Sequence, residues 1–272
     1  MNKTIIITGA SSGIGRETVK YFSQKGWNVA ATMRNPSTET ELTKLPNVTL
    51  YTLDVTSNES INIAIEQIWT KYKKIDVVVN NAGYGLIGTF EGATDEQIQN
   101  QFNTNVFGLM RVTRAALPHL RLQGFGRIIN ISSIAGIISL PLYSLYNASK
   151  FAIEGFTESL HYELKQFNIK VKLIEPGPID TNFNSKSKIE ICTESLPEYQ
   201  EYEDCVNYFY NKNFENAEHP IVVSKRIYKA ATTKSNKIRY SAGLQAQLFT
   251  TLAKIIPNTF LRTIVNFVTL HK

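Results

Sequence analysis

Apolar residues fall into two rhythms along the first 180 positions. Short unbroken runs such as Thr4-Ile5-Ile6-Ile7 and Val77-Val78-Val79 lack the alternation of a half-exposed strand, as strands covered on both faces do. Between them lie longer segments whose apolar residues recur three and four apart, the helical spacing. Strands are predicted over residues 3–8, 28–33, 48–53, 75–80, 127–131, 170–175 and 237–240, and helices over 13–25, 59–72, 95–122, 145–167 and 219–232. Such alternation reads as repeated βαβ units: an α/β fold with a doubly wound parallel sheet.

The rhythm breaks at residues 182–218, a polar stretch that carries Phe183, Tyr199, Tyr202, Tyr208, Phe209, Tyr210 and Phe214. An excursion this long inside a compact domain commonly serves function, and it is expected to form a substrate loop. The C-terminal extension, 244–272, has apolar residues at mixed helical spacing broken by Pro257. It is expected to pack as helix on the body of the domain rather than to lie on a membrane.

At about 150 residues per domain, 272 residues would make one or two; α/β units often fill this length alone, so residues 1–272 are expected to form a single domain. With 43% hydrophobic and 19% charged residues, disorder, collagen and coiled coil are excluded. A net charge of +6 suits an anionic ligand. No nucleic-acid partner is expected, because the densest basic stretch, Lys225 to Arg239, is interrupted by apolar residues. Cys192 and Cys205 are too few for a disulfide framework, which points to a reducing cytoplasm. They also lack a nearby His, which argues against thiol catalysis. Residues 128–149 carry no charge, yet Asn130, Ser132, Ser133, Pro141 and Asn147 interrupt them, so no stable membrane insertion is expected. The four histidines have no metal-ligand spacing, and no metal site is expected.

The chemistry begins with Thr8-Gly9-Ala10-Ser11-Ser12-Gly13-Ile14-Gly15, placed between the first strand and the first helix. In that context the glycines read as a dinucleotide-binding turn. Gly9 permits the bend, Gly13 admits a pyrophosphate to the backbone, and Gly15 lets helix pack on strand. At the end of the second strand, where an acid would favour NAD(H), the chain has Met33-Arg34-Asn35. Arg34 can fork onto a ribose 2′-phosphate with Ser12 beside it, so NADP(H) is the expected cofactor. The spacing Tyr-x-x-x-Lys occurs three times, at Tyr21, Tyr146 and Tyr208. Only Tyr146 with Lys150 follows a Ser-Ser pair, Ser132-Ser133, at the end of an apolar strand, where sheet topology opens the ligand crevice. Tyr146 and Lys150 stand one turn apart on one helix face.

With these residues in order, the chain resembles a classical short-chain dehydrogenase/reductase over residues 3–182. The resemblance rests on the glycine turn, Asp54-Val55, Asn80-Asn81-Ala82-Gly83, Asn105, Ser133, Tyr146-x-x-x-Lys150 and Pro176-Gly177 followed by Thr181. It implies a seven-stranded Rossmann-type sheet and a catalytic tetrad of Asn105, Ser133, Tyr146 and Lys150, with Asn105 holding a water in a proton relay. It further implies that Ser11, Ser12 and Ile14 line the cofactor turn, Asp54 and Val55 lie at the adenine, and Asn81 near its ribose. Lys150 would hold the nicotinamide ribose, Ile179 and Thr181 would lie at the carboxamide, and Pro176 and Gly177 would also contact the cofactor.

Together the residues and the resemblance predict hydride transfer between NADP(H) and a secondary alcohol or carbonyl. A cofactor-sensing binding protein on the same scaffold is the alternative. Asn80 to Gly85, Arg34 and the tail are similar to the branch holding 17β-hydroxysteroid and retinol dehydrogenases, which suggests an apolar small-molecule substrate. Homodimer and homotetramer both stay open. The Lys150 ammonium is expected to lower the titration of Tyr146, since two such groups about 4 Å apart interact by on the order of 4 kcal/mol.

Overall fold

The computed structural model describes residues 2–181, 188–214 and 217–270; Phe183 lies outside them. Nine strands occur among these residues: β1 (Thr4–Ile7), β2 (Asn28–Met33), β3 (Val48–Thr52), β4 (Val77–Asn80), β5 (Gly85–Ile87), β6 (Gly126–Ile131), β7 (Ile169–Pro176), β8 (Lys188–Glu190) and β9 (Arg239–Ala242). The helices are α1 (Gly13–Gln24), α2 (Asn58–Tyr72), α3 (Asp95–Phe102), α4 (Leu109–Gln123), α5 (Ser144–Leu164), α6 (Gln200–Phe214), α7 (Ile221–Thr232), α8 (Leu244–Ile255) and α9 (Asn258–Leu270).

Seven strands form one parallel sheet in the order β3-β2-β1-β4-β6-β7-β9. The unbroken apolar strands supply both of its faces. Ile5, Ile7, Val77 and Val79 meet Val19 and Phe22 of α1 and Val223 and Ile227 of α7 on one side. Ile6, Val78 and Ile128 meet Ile65 of α2, Val112 and Ala116 of α4 and Leu160 of α5 on the other. The strand order reverses between β1 and β4, and in such sheets the crevice beyond the strand ends at that point receives the ligand.

The elements depart from the sequence expectation in places that bear on the site. The helix expected over 95–122 is two helices joined by a π turn, Asn103–Gly108, which takes one residue more than α spacing allows. The stretch 182–218 is not all loop: β8 pairs with β5 in a separate two-stranded sheet, and α6 follows. Its polar composition hid the helical spacing of Tyr202, Val206 and Tyr210. The tail divides at Pro257 into α8 and α9, as a residue without an amide hydrogen dictates. The seventh strand falls two residues later than expected, at Arg239–Ala242.

Candidate active site

The glycine turn is built by close approach. Gly9 has φ +64°, and a methyl there would stand 2.8 Å from Ala82 Cα; one at Gly15 would stand 2.2 Å from the Gly9 carbonyl oxygen. Gly13, at φ +50°, faces the Thr181 side chain, 3.3 Å from where its Cβ would be. The turn and the segment after β7 therefore border one crevice. Ser12 caps α1 with extended backbone but no side-chain hydrogen bond, and the first turn of α1 holds no acid. The positive end of that helix thus faces outward uncompensated.

Asn81 holds this turn in place. Its Nδ2 donates to the carbonyls of Thr8 (2.9 Å) and Gly9 (3.1 Å), while Thr8 Oγ1 accepts from the amides of Asn81 and Ala82. Asp54 accepts from the amide and hydroxyl of Thr56, closing the turn before α2. The buried Val55 lies against Gly108 of the π turn, 2.9 Å from where a Cβ would sit. Arg34 is exposed at the end of β2 and has no ion pair among the described residues. Sequence reasoning missed Arg16, whose guanidinium grips Glu39 (2.7 and 3.1 Å) and Glu41 (2.8 Å) and donates to the Ser11 carbonyl. That grip folds the segment after Arg34 back onto the glycine turn and neutralises its acids. Glu39 also accepts the amides of Glu41 and Leu42, so its carboxyl titrates below the usual range although burial opposes this.

Ser133 stands two residues past β6, its Oγ accepting from the Ala135 amide, and its hydroxyl faces that of Tyr146, where it favours the phenolate. On the same face of α5, the ammonium of buried Lys150 lies 5.4 Å from the Tyr146 ring centre and donates to the Ile131 carbonyl (2.9 Å). Ser133, Tyr146 and Lys150 are thus brought together. The expected lowering of Tyr146 is not seen. Burial pushes its phenol up, more than the Ser133 hydroxyl pulls it down, and the neighbouring Tyr143 adds to the rise. Burial lowers Lys150 itself to about 8, against the pull of Glu154 one turn on.

Asn105 completes the group from the π turn. Its Nδ2 donates to the Tyr84 carbonyl (2.8 Å) and Ser149 Oγ (3.2 Å), and its Oδ1 accepts from the Tyr84 amide (3.0 Å). Beyond β7, Gly177 bonds back to Ala242, and Ile179 pairs with Glu218, whose carboxylate accepts the first amide of α8. Of this segment, Thr181 borders the crevice across from Gly13.

Helix α6 covers the reactive side. Val206 is buried with Ile87, Leu142 and Tyr143, and Tyr146, Tyr202 and Tyr210 pack against them. Tyr143 lies edge-on to Tyr146 and to Tyr210, whose hydroxyl donates to the Pro141 carbonyl. Thr89 and Thr193 both donate to Glu203 of α6, fixing the cover to the small sheet. A cavity of about 580 Å³ opens on the outer side, lined by Thr89, Phe90, Leu142, Tyr199 and Tyr202 but not by Tyr146. Among the described residues, no group of His, Cys, Asp or Glu could hold a metal, and no helix is long and apolar enough to cross a membrane. His271 lies outside the described residues.

The comparisons agree with this geometry. Residues 3–191 match the short chain dehydrogenase family. A 3-ketodihydrosphingosine reductase of Bacteroides thetaiotaomicron is 37% identical over 244 residues, covering 90% of this chain and 89% of that one. Human retinol dehydrogenase 8 is 39% identical over 204 residues, 72% of this chain and 65% of that protein. The solved structure of ElxO with NADP bound superposes with a TM-score of 0.72 at 28% identity, covering 89% and 97% of the two chains. With its sheet order, its glycine turn and most of its length accounted for in this way, the chain belongs to the short-chain dehydrogenase family of oxidoreductases, with a retinol dehydrogenase among its relatives.

Proposed function

We propose that the protein interconverts an apolar secondary alcohol and its ketone, with NADP(H) as partner. One observation carries the reading: the Ser133 and Tyr146 hydroxyls face each other beside the Lys150 ammonium, under a wall of Tyr143, Tyr202 and Tyr210. A sensor has no use for that trio.

A dinucleotide fits the crevice. The glycine turn lies tight on its own chain, since methyl groups at Gly9 and Gly15 would strike Ala82 and the Gly9 carbonyl, and the first turn of α1 offers amides with no acid among its own residues. Gly9, Ser11, Ser12, Gly13, Ile14 and Gly15 would hold the pyrophosphate side. Asp54, Val55 and Asn81 would border the adenosine, Ile179 and Thr181 the carboxamide, and Pro176 and Gly177 would also contact the cofactor. Arg34, unpaired at the end of β2, would take a 2′-phosphate, an assignment supported by NADP in ElxO. When bound, the cofactor supplies hydride to the carbonyl carbon or accepts it from the carbinol.

The chain's own groups handle the proton. In reduction Tyr146 gives its phenolic proton to the substrate oxygen, and Ser133 donates a hydrogen bond to the same oxygen, stabilising its developing charge. In oxidation the tyrosine takes that proton back. Lys150, drawn away from the Ile131 carbonyl toward the cofactor ribose, would favour the phenolate that burial disfavours. The amide of Asn105 is engaged with Tyr84 and Ser149, so in a proton relay it would hold water through its main-chain carbonyl. The aromatic wall excludes water and favours an apolar substrate, in keeping with the retinol and 3-ketodihydrosphingosine in the relatives' names.

A panel of long-chain 3-ketones, steroids, retinoids and sugars, followed by loss of NADPH absorbance, tests the reading. Turnover of the apolar ketones above the sugars is expected. No turnover on any of them would leave the sensor as the better description.

A further inference from the structure

Two helix faces beyond the sheet are apolar and open. On α8, Leu244 and Ile255 are 77% and 75% exposed, with Leu248 between them. On α9, Phe260 and Phe267 are 66% and 62% exposed, with Ile264 between them. At about 100° per residue each set falls within about 60° of arc. The α8 set lies opposite the side that packs on the protein, marked by buried Ala246 and Thr250; on α9 buried Thr269 lies opposite the stripe and buried Leu261 about a quarter-turn from its centre. Single exposed apolar residues are ordinary; six in two stripes mark a surface that meets something apolar.

The charges choose between occupants. After Glu218 the remaining 54 residues hold no aspartate or glutamate, against nine lysines and arginines; residues 1–218 hold 23 acids against twenty lysines and arginines. Two copies meeting through these stripes would bring like-charged tails together, whereas an anionic surface would attract both. Lys254 stands exposed about a quarter-turn from the α8 stripe, where its stem can lie along an interface with its ammonium at headgroups. The thirteen residues of α9 rise about 20 Å, short of the roughly 30 Å of a bilayer core. A face of this kind lies on a membrane and does not cross it.

We propose that α8 and α9 form a peripheral docking face for an anionic lipid surface. The face is coupled to the site through α6: Thr269 of α9 accepts a hydrogen bond from the Cys205 thiol on α6 (3.4 Å), the helix that covers Tyr146. Docking would set the cover of the active site one helix layer from the lipid.

The test is co-sedimentation of the full chain with phosphatidylcholine vesicles containing about one-third phosphatidylserine. Binding is expected, weakened at least about fivefold by high salt or by omission of phosphatidylserine. A double variant, Phe260→Ser with Phe267→Ser, and an independent one, Leu244→Ser with Leu248→Ser, should each weaken binding at least about tenfold. Circular dichroism, thermal melting and light-scattering mass should match wild type. Failure of wild type to sediment with the anionic vesicles overturns the proposal, as does binding indifferent to both variants. So does a variant that turns a dimer into a monomer, which would make the stripes an interface between copies. No turnover is measured, so this outcome is separate from that of the oxidoreductase reading.

Discussion

The part of the molecule that ends at Thr181 and the part that starts at Lys188 are built for different kinds of contact. In the first, the crevice is made of backbone: glycines under close approach, strand ends, and short polar side chains such as Thr8 and Asn81 that hold the chain to itself. In the second, the contacts are aromatic and aliphatic faces carried on α6, α8 and α9. A backbone cradle admits few residue types, whereas a packed apolar wall accepts many. The first part should thus be sensitive to single atoms and the second to area.

The sharpest way to break this contrast is the loss of one hydroxyl. Tyr146→Phe should keep NADPH affinity and lose at least about 100-fold in turnover, the scale of positioned acid-base catalysis, measured by steady-state kinetics on an accepted ketone. Near-normal turnover in the folded variant would remove the trio from the reaction. Next in size, Arg34→Ala should weaken NADPH by about 10- to 150-fold and leave NADH little changed, as loss of a charge-assisted contact of roughly 1.5 to 3 kcal/mol requires. Fluorescence titration of both cofactors decides it, and equal wild-type affinities would contradict the assignment.

A third test falls on the seam between the two parts. Arg239 of β9 bridges Glu154 of α5, Glu175 of β7 (3.1 Å) and Glu158 (2.9 Å). Burial, with Glu175 nearby and only one guanidinium to share, raises Glu154 to about 7. The folded state then holds this proton more tightly than the unfolded chain. Its contribution is complete below the ordinary carboxylate value and is lost as pH rises through about 7. Urea unfolding should show wild-type stability falling between about pH 4.5 and 7 by on the order of 2 kcal/mol relative to Glu154→Gln. The smallest effect is expected from the aromatic wall. Tyr210→Ala should raise KM for an apolar ketone about fivefold, near 1 kcal/mol, with NADPH affinity unchanged.

The same contrast governs what the sequence could reveal. The sheet was legible because strands covered on both faces are apolar throughout, and Ser133, Tyr146 and Lys150 were legible because a helix turn and a strand end fix their spacing. The grip of Arg16 on Glu39, the hold of Asn81 on the glycine turn and the Glu154-Arg239-Glu175 seam join residues 23 to 85 positions apart, and no local period marks them. Helix α6 escaped because its outward polar residues outnumber the three that face Tyr143 and Tyr146. The stripes on α8 and α9 were visible as apolar residues, but which of them face the protein depends on the packing of Ala246 and Leu261.

The π turn at Asn103–Gly108 carries a consequence for how this protein could change. A residue inserted into a regular helix is absorbed there without rotating α4, so Val112 and Ala116 still reach the sheet. Removing one residue would straighten the helix and leave that packing in place, while withdrawing Asn105 from Tyr84. Shortened in this way, the chain could gain stability as it lost its reactive geometry, so selection for robustness alone would erode this segment first.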